Sequence, residues 1–466
     1  MTETITTKVL IIGGGMGGYV CAIRLGQLGI EHTLVEADRL GGTCLIRGCI
    51  PSKALIHAAG KFETVRDAAS DTGTLGVRAA SPSIDLSQTV AWKDGVVAKL
   101  NGGVGGLLKR AKTRVLKGWA TFSDAKTATV KGDDGAETVV KAETVVLASG
   151  SVSVELPFLP FGGDVISSTD ALSLDRVPDK LVVVGAGYIG LELGICFAKM
   201  GAAVTVVEAQ DRILPLYDKA LTDPVRKWCE KHGMTLHLSA RAKGMEGNQF
   251  VFTDAEGAEQ RVAADKVLVT VGRKPLTQGW GLENTGVAMA GPFVKVDDRL
   301  RTSMKGVYAV GDLIGEPMLA HKSAAQGEMV AELIAGKDRR WDPVAISAVC
   351  FTEPEIVSAG LTPLDVEGRD DVMQAVFPLS AIGRALAIEA DQDGGFARVI
   401  ARKDDHRLLG IQIVGRHVSE LSNEFAMALE MGALLEDVAG IIHVHPTLGE
   451  AFHESALRAL GHAIHV

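Results

Sequence analysis

Two glycine-rich turns, each set between an apolar run and a helical stretch, constrain this chain more than any other feature. The first is Lys8-Val9-Leu10-Ile11-Ile12 followed by Gly13-Gly14-Gly15-Met16-Gly17-Gly18. The second is Leu181-Val182-Val183-Val184 followed by Gly185-Ala186-Gly187-Tyr188-Ile189-Gly190. Such β-branched runs read as strands buried in a parallel sheet. A helix predicted over 19–28 and a strand over 33–36 complete the first β-α-β unit, and a strand over 204–208 closes the second. In each motif the first glycine permits a tight turn, the second lets backbone approach a pyrophosphate, and the third allows close helix–strand packing. The helix-terminal N–H groups then face the anion. Gly13, Gly15 and Gly18, and again Gly185, Gly187 and Gly190, are therefore candidate dinucleotide contacts. Glu36 and Glu208 end the second strand of each unit, where a carboxylate binds ribose hydroxyls. One such turn would be compatible with a glycine loop that binds nothing; two, each with its terminal Glu, favour nucleotide binding. Glu208 repels a 2′-phosphate and only Arg212 follows it closely, so NAD is expected rather than NADP.

The two motifs lie about 170 residues apart, a domain-sized spacing rather than a solenoid period. The 466 residues suit about three domains. Runs at Thr144-Val145-Val146-Leu147 and Lys266-Val267-Leu268-Val269 each close a nucleotide-binding region, and Val307-Tyr308-Ala309-Val310-Gly311-Asp312 is a third of the kind. Boundaries are expected near Ser151, Lys274 and Asp342-Pro343. The tail from Val344 mixes short strands (397–401, 408–414) with a helix over 420–431, an α+β pattern. Net charge is −9, which argues against nucleic acid and anionic membrane and is compatible with a basic partner. No apolar run reaches the ~18 residues of a membrane span, and the N-terminus lacks the basic region of a secretory signal. Six cysteines in so long a chain do not make a disulfide scaffold, so a reducing, cytoplasmic setting is expected and any disulfide is catalytic.

Gly41-Gly42-Thr43-Cys44-Leu45-Ile46-Arg47-Gly48-Cys49-Ile50-Pro51-Ser52-Lys53 is the densest signal. Cys44 and Cys49 can pair if the intervening helical turn is distorted, and Gly48 and Pro51 favour distortion. A thiol at a helix N-terminus gains thiolate character. Zinc would need two further ligands, and none is nearby. Cys21, Cys196, Cys229 and Cys350 are scattered among apolar neighbours and read as inert. Lys53 would share the Cys49 face of a continuous helix. Glu192 stands in the apolar stretch Ile189-Gly190-Leu191-Glu192-Leu193-Gly194, where an unpaired carboxylate is costly. A Lys53–Glu192 pair would satisfy it; the alternative is a solvated outer face. In His443-Val444-His445-Pro446-Thr447-Leu448-Gly449-Glu450, a helix is expected to start near Thr447. Thr447-x-x-Glu450 fits a capping box. The other reading is that Glu450 orients His445 and stabilises its imidazolium. Both stand.

Taken together, these motifs resemble the flavin-dependent pyridine-nucleotide disulfide oxidoreductases from Val9 to about Gly461, and within them the lipoamide-linked branch. Val90-Ala91-Trp92-Lys93-Asp94-Gly95 and Ser153-Val154-Glu155-Leu156-Pro157 look most like the form serving branched-chain 2-oxo acid dehydrogenase. The resemblance implies an α/β fold with two Rossmann-like domains and a C-terminal α+β dimerisation domain. The expected divisions are 1–150 (FAD), 151–274 (NAD), 275–343 (a central segment returning to the FAD domain) and 344–466 (dimerisation). Gly13, Gly15, Gly18 and Glu36 would hold the ADP half of FAD and Asp312 its ribityl chain. Met318, Leu319, Ala320 and His321 would run beneath the pyrimidine end, with Lys53 near flavin N5. Gly42, Thr43, Ser149, Gly150, Ile189, Glu192 and Gly272 complete the expected cofactor contacts, NAD being held at Gly185, Gly187, Gly190 and Glu208. Cys49 would face the flavin, Cys44 would meet substrate, and His445 would be the acid–base group with Glu450 behind it. That base would serve the cysteines of the other subunit of a homodimer. The implied reaction oxidises dihydrolipoyl groups of an acyltransferase core with NAD+. The implied partner is that core's peripheral subunit-binding domain, with no lipoyl domain fused to this chain.

Three residues depart from the family pattern: Ile46 for a usual Asn, Met16 for a usual Pro, and Ser149 for a usual Thr. Ile46 cannot reproduce an amide's hydrogen bonds. Two further readings are carried. One is a sibling reductase for glutathione or mercuric ion, opposed by Glu208 and by a C-terminus without a cysteine pair. The other is a flavoprotein kept for binding alone, opposed by the presence of Cys44, Cys49 and His445.

Overall fold

The computed structural model describes residues 3–70 and 75–465; Met1, Thr2 and Val466, at the outer ends of the first and last expected domains, lie outside it. The chain opens with β1 (Glu3–Ile12), α1 (Met16–Gln27) and β2 (His32–Glu36), then α2 (Gly42–Arg47), α3 (Cys49–Ala68) and α4 (Leu86–Arg110). There follow β3 (Arg114–Lys117), β4 (Trp119–Asp124), β5 (Thr127–Lys131) and β6 (Glu137–Leu147). They form one sheet in the order β3-β2-β1-β6-β5-β4. Its centre is parallel, Ile11 standing opposite Leu34 on one side and Val146 on the other. Leu10 and Ile11 are fully buried because helices cover one face and the β4–β5 hairpin the other, as an apolar run requires. The strand Val307–Ala309 returns to this sheet and pairs in parallel with β6.

The second sheet is also parallel, with strands Thr235–His237, Ala203–Val207, Lys180–Val184, Lys266–Val269 and Val165–Ile166 in that spatial order. Two short antiparallel strands, Ser151–Ser153 and Arg273–Pro275, carry the chain into and out of it. The third sheet is antiparallel and five-stranded, centred on Phe396–Arg402 and Leu408–Gly415, with Ser422–Glu430 and Glu450–Ala459 packed on one face. Three helix starts differ from expectation, α1 already beginning at Met16 rather than at residue 19. The stretch from Val418 begins as a single 3-10 turn and becomes α-helical only at Ser422. The last helix begins at Glu450 rather than Thr447, because the Thr447 hydroxyl donates to the Val444 carbonyl and does not cap.

Buried ions tie the parts together. Lys199 lies 2.8 Å from Glu63 of α3 and 2.5 Å from Glu353 of the C-terminal region. Burial alone would pull its ammonium down, but the two carboxylates outweigh that and hold it above its ordinary value. α1 crosses the helix Ala320–Ile334 so closely that a methyl on Gly327 would sit 2.1 Å from the Gly17 carbonyl. At the far end of that crossing Glu332 meets Arg24, Lys337 and Arg339. Hydrogen bonds from Arg24 and Lys337 lead in holding its carboxyl down at about 2, below its ordinary 4.5. A depressed carboxyl contributes stability that is complete above its unfolded value and disappears as pH falls through the folded one. The unfolding midpoint is therefore expected to fall between about pH 4.5 and 2 more steeply in the native chain than in Glu332→Gln, measured by thermal unfolding at each pH.

Candidate active site

The two glycine turns have the same geometry. Gly13 and Gly185 have φ of 100° and 99°, where a side chain is strained. A methyl on Gly18 would lie 1.8 Å from the Gly13 carbonyl oxygen, and one on Gly190 would lie 2.2 Å from that of Gly185. The third glycine thus lets the helix start against its own turn. Gly187 has open space where a Cβ would stand, and Gly15 faces Gly42 across a gap that a methyl on Gly42 would close to 2.5 Å. Both acidic residues are held alike. Glu36 accepts from the Gly14 N–H at 2.6 Å and the Asp38 N–H at 2.7 Å. Glu208 accepts from the Ala186 N–H at 2.6 Å and the Gln210 N–H at 2.7 Å. Each carboxylate keeps lone pairs for ribose hydroxyls. Burial raises the Glu36 carboxyl, opposed by the Gly14 N–H. Gly272, with φ of 121°, turns the chain out of the second sheet.

The cysteine segment folds as two helices rather than one. Gly48, at φ −141° and ψ −113°, breaks the chain between α2 and α3. The break brings Cys44 within 4.6 Å of Cys49, Cα to Cα, and the two are joined as a disulfide. Cys49 is the first residue of the 20-residue α3, at the positive end of its dipole. Lys53, one turn on, reaches Glu192 at 2.6 Å, and the other Glu192 oxygen accepts from the Phe351 N–H at 2.9 Å. The buried carboxylate is thereby satisfied on both oxygens.

A cavity of about 1050 Å³, including its mouth, runs between the two sheets. Gly15, Thr43, Cys44, Cys49, Lys53, Gly150, Ile189, Glu192, Asp312, Met318 and Ala320 line it. Asp312 accepts from the Ser151 hydroxyl at 2.5 Å. Three further expected contacts are placed as follows. The Ser149 hydroxyl donates to the Leu276 carbonyl, the His321 ring lies 2.9 Å from the Ser347 carbonyl, and Leu319 is the residue before the helix Ala320–Ile334. Burial lowers the His321 imidazole, with the Ser347 carbonyl opposing. Sequence reasoning missed Arg47, Ser151 and Arg273, which also line the cavity. Arg273 donates to the Ser151 hydroxyl at 2.9 Å and to its carbonyl at 2.7 Å, bracing Asp312 from behind. A cation directly after the turn glycine Gly272 was the available signal.

His445 and Glu450 pair at 2.8 Å through Nδ1 and Oε1, while Oε2 accepts from the Thr447 N–H at 2.8 Å. One carboxylate thus orients the ring and secures the helix entry. Burial would raise the Glu450 carboxyl, but the bonds from His445 and Thr447 hold it below its ordinary value. The His445 side chain is 78% exposed and lies outside the cavity of its own chain. Ile442 beside it is 95% exposed, and Ile441 and Val444 are exposed too. Among the described residues no group of three or more His, Cys, Asp or Glu could hold a metal, and no helix is long and apolar enough to cross a membrane.

The donor set fits a flavin dinucleotide. It offers a carboxylate for ribose, glycine backbone for pyrophosphate, Asp312 for the polyol, and a cation beside the disulfide. Gly18→Ala is expected to abolish flavin retention, read as the flavin-to-protein absorbance ratio after purification. Ile46 is buried among Leu45, Val97 and Leu108, so Ile46→Asn is expected to cost about 2–4 kcal/mol in denaturant unfolding while turnover persists.

Residues 7–327 match the model of the pyridine nucleotide-disulphide oxidoreductases, and residues 346–456 match that family's dimerisation domain. A dihydrolipoyl dehydrogenase of Pseudomonas aeruginosa is 55% identical over the whole of both chains. One from Geobacillus stearothermophilus is 43% identical, covering 99% of this chain and 98% of its own. The crystal structure of LpdA from Mycobacterium tuberculosis superposes with a TM-score of 0.88 at 27% identity, covering 97% of this chain and 99% of that one. The HOCl-induced flavoprotein disulfide reductase RclA of Escherichia coli gives 0.84 at 25%, covering 96% and 99%. The paired glycine turns, the bridged cysteines and these full-length matches make this chain a member of the pyridine nucleotide-disulphide oxidoreductase family.

Proposed function

We propose that this chain oxidises protein-bound dihydrolipoyl groups to lipoyl with NAD+ as acceptor, as a homodimer serving the acyltransferase core of a 2-oxo acid dehydrogenase complex. Members of the family of this kind use FAD and NAD, and the match to the dimerisation domain supports the homodimer. The observation that carries the reading is the Cys44–Cys49 disulfide opening on a cavity shared with Lys53, Asp312 and the second glycine-turn helix.

In this reading His445 takes the proton of one dihydrolipoyl thiol. The thiolate attacks Cys44 Sγ, a mixed disulfide forms, and Cys49 leaves as a thiolate. The second dihydrolipoyl sulfur displaces Cys44: His445 hands its proton to the departing Cys44 sulfur and takes the proton of the second thiol, and lipoyl departs with its sulfurs joined. The two electrons now reside in the cysteine pair. FAD, when bound, supplies the two-electron relay from that pair to NAD+. Glu450 holds the His445 tautomer that leaves Nε2 free for proton transfer. Because His445 faces outward among exposed Ile441, Ile442 and Val444, it serves the cysteines of the other subunit. Four buried free cysteines outside the pair support a reducing, cytoplasmic setting. The net charge of −9 supports capture of a basic subunit-binding module, with affinity falling as salt rises.

The test is NAD+ reduction by dihydrolipoamide, run beside glutathione with NADPH. Turnover with the first pair alone is expected; turnover with the second alone overturns the reading. His445→Gln is expected to lower kcat by about 10²- to 10⁴-fold with flavin still bound. Heterodimers of one His445→Gln and one Cys44→Ser subunit are expected to regain one full site, about half of the wild-type dimer's activity, only if the base acts across the interface.

A further inference from the structure

Glu192 is 4% exposed and its two oxygens are shared between different parts of the chain: Lys53 of α3, and the backbone of Phe351, just past the C-terminal strand Ala348–Cys350. Phe351 makes a second contact. Its ring lies under the Lys53 ammonium, 4.4 Å from Nζ to the ring centre. A lysine head on a flexible stem has other places to go, and the Lys53 side chain is 29% exposed. Glu192 closes one side of the ammonium and the ring closes another. The segment is itself held in place. The Thr352 hydroxyl, buried, donates to the Pro354 carbonyl at 2.8 Å, and Glu353 meets Lys199 at 2.5 Å. The same three parts of the chain therefore meet twice, at Lys53–Glu192–Phe351 and at Glu63–Lys199–Glu353.

We propose that Phe351 is a positioning residue of the redox site: its ring confines the Lys53 ammonium beside the Cys44–Cys49 pair, so the C-terminal domain sets how readily that disulfide is reduced. The inference rests on the reading of this disulfide as the redox centre. Cys49 precedes Lys53 by one helical turn and both line the cavity. Reduction breaks the S–S bond and places two electrons on the pair, with a thiolate at its more acidic sulfur. A fixed cation favours that thiolate over the disulfide. Without the ring Lys53 keeps Glu192 but gains access to solvent, and the reduced form loses part of its stabilisation.

The experiment equilibrates the purified flavin-loaded dimer with dithiothreitol buffers of graded poise, traps free thiols, and reads the Cys44/Cys49 peptide by mass. Phe351→Leu is expected to lower the equilibrium constant for reduction roughly two- to tenfold, the range of a partly buried cation–π contact. Phe351→Met, similar in volume and without a π face, is expected to do the same, and Phe351→Tyr to match wild type. Lys53→Met is expected to lower the constant at least as far, and adding Phe351→Leu to it to change nothing more. Glu353→Gln, which loosens only the second meeting point, is expected to lower the unfolding midpoint and leave the constant unchanged. A wild-type constant in both Phe351→Leu and Phe351→Met overturns the inference, as does an equal loss with and without Lys53. A wild-type disulfide that dithiothreitol does not reduce overturns instead the redox reading on which it rests.

Discussion

A carboxylate buried in an apolar helix needs a partner for each oxygen, and in this protein the partners of Glu192 come from two other domains. Truncating a partner of such a group typically costs about 3–5 kcal/mol, because the charge left behind has no water. The requirement pulls α3 against the helix Tyr188–Lys199 through Lys53 and draws in the C-terminal backbone at Phe351. α3 also starts with Cys49, so the demand made by one glutamate fixes where the disulfide sits relative to both nucleotide folds. Lys199, with Glu63 and Glu353, repeats the arrangement with its charges exchanged.

The nucleotide folds meet a second constraint in the same way twice. A strand-ending glutamate takes two backbone N–H groups, one from the glycine turn and one from two residues further on. The turn then cannot drift from the ribose site, since both are tied to one side chain. The third glycine places the helix start within a methyl's width of the turn. The two units differ in what lies between them and the cavity. The first has the Cys44–Cys49 segment folded beside it. The second leaves open space at Gly187 and a Tyr188 side chain at the cavity wall.

His445 belongs to another surface. It is oriented by a carboxylate and exposed, and the preceding Ile441, Ile442 and Val444 are exposed apolar side chains that water does not favour. His445 lies on the domain of the dimerising type and the disulfide lines a cavity that His445 does not, an arrangement that fits the proposal that a symmetric pair of chains brings the two together.

The glycine turns, their glutamates, the cysteine pair and the His445–Glu450 spacing were all legible in the sequence, because local backbone geometry admits few residues at such positions. Gly13, Gly18, Gly185 and Gly190 are written by steric necessity, and Gly48 marks a helix break by the same logic. The Lys53–Glu192 pair was legible as a need: a carboxylate among leucines implies a cation somewhere. Arg273, Ser151 and Phe351 were not legible, since their roles depend on which distant strand lies beside them. Nor were the partners of Ser149 and His321, the carbonyls of Leu276 and Ser347, which lie far along the chain. The sequence by itself determined the repeated units and the chemistry of each reactive side chain, because these rest on contacts a few residues apart. Only the tertiary structure decided which of them share a cavity, because that depends on how buried charges from three domains find one another.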